Sequence, residues 1–142
     1  MAIMNKVLLV SIAFFIISCS HQDNQLIGTW VFNGDKTFEE LSERQDIPNK
    51  ILQCYKSKAC GYNTVFTYGP DSWTQHFTFQ EKAVTGPFSY EIVRNVGSEI
   101  EIKTTQQGEA VQFTTYFTSP SEAYVTSEWD GVEWREYLRK MH

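Results

Sequence analysis

Residues 99–117 read EIEIKTTQQGEAVQFTTYF. Ile100, Ile102 and Thr104 alternate with Glu99, Glu101 and Lys103. After Gln106-Gln107-Gly108, the residues Val111, Phe113, Thr115 and Phe117 alternate with Gln112, Thr114 and Tyr116. A period of two sends one set to each face of an extended chain. An apolar set opposite a charged or polar one marks a strand with one buried side. The break between the two runs is short, as in a hairpin.

The same pattern extends in both directions. Upstream, Phe88, Tyr90 and Ile92 oppose Ser89, Glu91 and Val93, and Asn95-Val96-Gly97 turns the chain. Trp73, Gln75, Phe77 and Phe79 oppose Thr74, His76 and Thr78, after a turn at Gly69-Pro70-Asp71. Tyr62, Thr64, Phe66 and Tyr68 form another alternating set, and residues 26–32 read as a first strand. Downstream, Ser119-Pro120-Ser121 turns, Ala123 to Trp129 is a strand, Asp130-Gly131 is a hairpin signal, and Val132 to Arg139 is the last strand. These are eight strands joined mainly by short turns. A meander of that length must protect its edges, and closure removes them altogether. The expected fold is all-β, an eight-stranded antiparallel up-and-down barrel; a β-sandwich is the competing arrangement. A barrel of this size is either filled by side chains or holds one small ligand.

Helical pattern occurs only between strands 1 and 2. Asn33-Gly34-Asp35 breaks the first strand. Thr37-Phe38-Glu39-Glu40 reads as a capping box with Thr37 as N-cap, and Phe38 and Leu41 share a face. Pro48 suits the first position of a second short helix, whose apolar face would be Ile51, Leu52 and Tyr55. Cys60-Gly61 ends the insert.

The N-terminus is of another kind. Lys6 precedes a mostly apolar run from Val7 to Ile17, followed by Ser18 and Cys19. The run is shorter than the roughly 20 apolar residues that span a bilayer, and it reads as a secretory signal. Its ending resembles a bacterial lipobox. That resemblance implies cleavage before Cys19 and a lipid on its thiol, with a signal peptide at 1–18, a lipidated tether at 19–25 and the barrel domain at 26–142. It implies a lipid-anchored protein of the bacterial cell envelope, and Ser20 implies outer-membrane placement facing the periplasm in an organism with two membranes. The extended tether after Cys19 reaches only about 20 Å, which keeps the domain close to the membrane.

The 142 residues carry a net charge of −5, and the signal run removes only Lys6. No basic patch or stripe suggests nucleic acid as a partner. Of the three cysteines, Cys54 and Cys60 remain once Cys19 is lipidated. In an exported chain this even pair reads as a disulfide, whereas zinc would want more thiols or nearby histidines.

Gly28-Thr29-Trp30 on the first strand, followed by a β meander, resembles the lipocalin or calycin superfamily. The likeness covers about residues 26–140; the T-D-x-x motif of lipocalins is absent. It implies that Gly28 and Trp30 are structural, with Trp30 packed across the closed end of the barrel under Arg135 or Arg139 of the last strand. The open end would then lie where the insert leaves the first strand.

Catalytic and metal chemistry find little support. His76 stands mid-strand on the polar face, with no G-x-S-x-G or other nucleophile motif. Glu99 and Glu101 read as a solvated face rather than a glycosidase pair. Glu39, Glu40, Glu43 and Asp46 lack a calcium-loop pattern. No catalytic residue, metal or cofactor is expected. The aromatic faces leave two readings open. Trp73, Phe77, Phe88, Tyr90 and Phe113 either fill the barrel or line a cavity whose mouth is covered by Phe38, Leu41, Leu52 and Tyr55. The first function expected is binding or carriage of a small apolar or amphipathic ligand near the membrane. The second is a protein-interaction module of the envelope, an assembly factor or inhibitor with a filled barrel. A hydrolase is a poorer third.

Overall fold

The computed structural model describes residues 23–77 and 83–142. Residues 1–22, with the signal run and Cys19, lie outside the described residues, as does Phe79. In chain order the elements are β1 (Gly28–Phe32), α1 (Gly34–Ser42), α2 (Asn49–Lys56), β2 (Thr64–Tyr68), β3 (Ser72–Phe77), β4 (Ala83–Asn95), β5 (Glu99–Gln106), β6 (Glu109–Ser119), β7 (Glu122–Trp129) and β8 (Val132–Lys140). The strands form one closed barrel in sequence order, each antiparallel to the next, and β8 returns to β1. The expected barrel and its helical insert are therefore both present.

The alternation decides the faces. Ile100, Ile102 and Thr104 of β5 are buried, while Lys103 is exposed. Thr115 opposite Ile100 is buried too. On the outside, Glu99 and Glu101 flank Arg94 as an ion-paired surface set. β4 begins earlier than the Phe88 pattern suggests. Trp73 pairs with Phe88 but Gln75 pairs with Thr85, so Gly86-Pro87 sit in a bulge. A bulge is where a sheet tolerates a proline.

β1 pairs with β8 only from Trp30 to Phe32, and the helices flank the rest of β8. Asn33 donates its backbone N–H to Tyr137 O at 2.8 Å. The buried Thr37 Oγ1 accepts the Tyr137 backbone N–H at 3.0 Å and donates to Asn33 O at 3.0 Å. A helix thus finishes the seam that a short strand begins. This corrects the capping assignment: Asn33 is the N-cap of α1, its side chain accepting Lys36 N–H, and Thr37 lies inside the helix. The Asn-Gly-Asp break is the helix start itself, since asparagine is among the strongest N-caps. Pro48 stands one position before its expected place, as the N-cap of α2.

The closed end is packed solid. Trp30 is 1 % exposed, donates its Nε1–H to Leu26 O at 2.8 Å, and meets Phe117 edge-on at 5.7 Å. The cation over its ring is Lys140, 5.3 Å from the centroid, and not Arg135 or Arg139. Even-numbered residues of β8 point inward; Arg139 is exposed and Arg135 lies over Tyr124. Gly28 makes room for this: at φ +130° a Cβ there would lie 2.6 Å from Lys140 Cε. The segment before β1 straps this end, with Gln25 Nε2 donating to Gly97 O at 2.6 Å and Asn24 Nδ2 to Tyr90 Oη at 2.8 Å.

Candidate functional site

At the other end the barrel is not filled. A cavity of about 340 Å³ lies among Phe32 of β1, Phe66 and Tyr68 of β2, Trp73 and Gln75 of β3, and Phe113 of β6. Val125, Glu136 and Leu138 of β7 and β8 complete the wall, with Thr64, Gln106 and Thr126. Gly61, where the insert returns to β2, also borders it. Gly61 has φ +70°, and a Cβ there would come within 2.9 Å of the Phe32 ring. Only glycine lets the chain re-enter the barrel so close to that ring.

The rings hold one another. Trp73 stacks on Tyr68 at 5.8 Å and meets Phe88 at 5.0 Å and Phe113 edge-on at 6.3 Å. Its Nε1–H donates to Thr104 Oγ1 at 3.0 Å, and that hydroxyl donates to Ser89 O at 2.7 Å. The indole is thereby fixed in orientation with no polar atom left facing the cavity. Burial, then the neighbouring Tyr90, push the Tyr68 phenol well above its ordinary range, so it stays neutral.

Among the described residues, Glu136 is the one charged side chain in the wall. Tyr55 of α2 donates its hydroxyl hydrogen to Glu136 Oε1, and the Tyr55 hydroxyl oxygen accepts Trp134 Nε1–H at 3.0 Å. Burial first, and the Glu136 carboxylate second, raise the Tyr55 pKa far above the ordinary tyrosine value. Tyr55 is therefore a permanent donor near neutral pH. The insert is secured on this side by Lys50 over the Trp129 ring at 3.4 Å and by the Cys54–Cys60 disulfide, Cα–Cα 5.3 Å.

Of the residues proposed from the sequence, Trp73 and Phe113 line the cavity. Tyr55 stands behind it, bonded to Glu136 and packed on Phe32 at 6.1 Å, two residues of its wall. Leu41 is buried in the apolar core, with Phe38, Ile51 and Leu52 packed against that core, and none of the four borders the cavity. α1 is held along the β8 edge, while α2 sets Tyr55 against the inward-facing Phe32, Trp134 and Glu136. Tyr90 is drawn toward the closed end, where its hydroxyl donates to Gly69 O, and Phe88 packs on Trp73 without bordering the cavity. Phe77 ends β3, and its side chain lies outside what is described. The sequence reading passed over Phe32, Phe66, Tyr68, Gln75, Glu136 and Leu138 as site residues. Their signal was present: Phe66 and Tyr68 alternate on β2, and Trp134, Glu136 and Leu138 share a face of β8.

His76 has Thr74 as a side-chain neighbour, at 3.4 Å, and Asp46 pairs with Arg44. Among the described residues no three His, Cys, Asp or Glu side chains group as metal ligands, and no helix is long and apolar enough to cross a membrane. The fold and cavity together define an up-and-down β-barrel with a one-ended aromatic pocket. No protein-family model matches the chain, and neither the curated proteins nor the solved structures contain a match.

Proposed function

We propose that this protein is a lipid-anchored component of the bacterial cell envelope whose lipocalin-like barrel binds or carries a small apolar or amphipathic molecule. The observation that carries the reading is the cavity of about 340 Å³ walled by aromatic rings, within the usual range for small-molecule sites. The cavity supports this reading over an interaction module with a filled barrel. The role proposed is binding without catalysis.

The signal run and Cys19 supply the anchoring half of the proposal. The described chain begins at Asp23 against the closed end, where Asn95 Nδ2 lies 3.5 Å from Asp23 O. A lipid on Cys19 then turns the closed end toward the bilayer and the cavity mouth away from it. The ligand exchanges with the aqueous side. Native mass spectrometry after gentle extraction tests the binding half: a co-purifying small molecule is expected, and a stoichiometric protein in its place returns the interaction reading. Cys19→Ser with cell fractionation tests the anchor. Unchanged processing and membrane association would remove the lipid from the account.

A further inference from the structure

We infer that the cavity takes a small organic cation, an amine or quaternary ammonium carried on a compact aromatic or short aliphatic body. This names the ligand class of the binding site proposed above and rests on that reading.

The argument starts from what lines the space. Phe32, Phe66, Tyr68, Trp73 and Phe113 present five rings to one cavity. Ring faces carry the negative side of the aromatic quadrupole and attract a desolvated cation. Glu136 adds a carboxylate, and among the described residues no lysine or arginine shares the wall. The basic side chains of β8 lie elsewhere: Lys140 over Trp30 at the closed end, Arg135 over Tyr124 outside, and Arg139 exposed. Among the described residues the wall therefore combines aromatic rings with one carboxylate and no basic side chain.

The carboxylate is also held in place. Trp134 N–H fixes the Tyr55 oxygen and Tyr55 O–H fixes Glu136 Oε1, which leaves Oε2 for a ligand. A group oriented by a second layer of hydrogen bonds binds with less ordering cost. The same charge works against fatty acids and other anionic amphiphiles, whose head group would meet a like charge. The volume is near the lower end for ligand sites, which favours one ring or a short chain over a two-chain lipid.

Isothermal titration of the detergent-extracted full-length protein tests this with three probes of similar size: 2-phenylethylammonium, 2-phenylethanol and 3-phenylpropionate. The ammonium should bind at least about tenfold tighter than the alcohol, and the carboxylate weakest of all. Glu136→Gln, checked for an unchanged β-sheet spectrum, should lose the preference for the ammonium and keep the affinity for the alcohol. Equal affinity for ammonium and alcohol, or preference for the carboxylate, overturns the cation assignment and leaves the binding reading standing. Absence of saturable binding for all three at millimolar concentration overturns both. Because the probe ranking is read on the wild-type protein, it stands even where Glu136→Gln fails to fold. A retained ammonium preference in the folded variant removes Glu136 from the site.

Discussion

The two ends of this barrel use the same kind of residue for opposite purposes. At the closed end Trp30 is packed against Phe117 and Leu26, topped by Lys140, and has its N–H satisfied. At the open end Trp73 is equally well anchored, yet its neighbours stand around an empty volume. The difference shows that aromatic content does not decide whether a small barrel is full. What decides it is whether chain from outside the sheet is laid into the opening. The segment around Leu26 plugs one end. At the other end Asn33, Thr37 and Arg44 hold the insert along the β8 edge, and its Tyr55 reaches Phe32, Trp134 and Glu136, yet a cavity remains beside them.

The largest test of this contrast is Trp30→Ala. Losing a fully buried indole should lower stability by about 3–5 kcal/mol, read as a shift in the urea midpoint. An unchanged midpoint would mean that the closed end is not where the stability lies. Replacing both Cys54 and Cys60 by serine should cost about 2 kcal/mol, from the entropy of the short loop they close. Since the pair holds the insert, ligand binding in that variant should weaken before the barrel melts. Phe113→Ala at the open end should cost only about 1–2 kcal/mol, because the ring is half-exposed and one side of it already faces a void. A penalty matching that of Trp30→Ala would indicate a filled barrel.

The smallest effect is in alkali. The folded pKa of Tyr55 lies above its unfolded value of about 10. Above that pH the unfolded chain releases a proton that the folded chain keeps, so stability is intact below pH 10 and falls as pH rises beyond it. Tyr68 and Tyr90 are shifted the same way by burial. In a pH series of urea melts, Tyr55→Phe should show a shallower alkaline decline than wild type, without removing the decline entirely. Equal slopes would show that the Tyr55–Glu136 contact does not persist in solution.

Much of this architecture was legible beforehand, because strand alternation is local. Ile100, Ile102 and Thr104 needed nothing but their own spacing to be placed inside. The disulfide was equally readable, since reading the chain as exported with a lipid on Cys19 leaves Cys54 and Cys60 as an even pair. The site was harder. Leu41 and Leu52 looked like a lid because they are apolar and follow β1, but an apolar helix face specifies only that it will be buried, not against what. Glu136 was invisible as a site residue for a related reason. A carboxylate inside a barrel makes sense only once Tyr55, 81 positions away, is seen to hold it.

The order of strands, the faces they bury and the existence of an insert follow from the chain alone, since period, turn residues and caps act within a few positions. The identity of the cation over Trp30, the path of the insert along β8 and the empty volume among five rings do not. They depend on the pairing of Trp30 with Lys140 and of Phe32 with Leu138, where the last strand meets the first. A shift of one residue at that seam would turn Glu136 outward and bring Arg135 in. Such a contact is made between the two ends of the sequence, so only closure of the barrel chooses it.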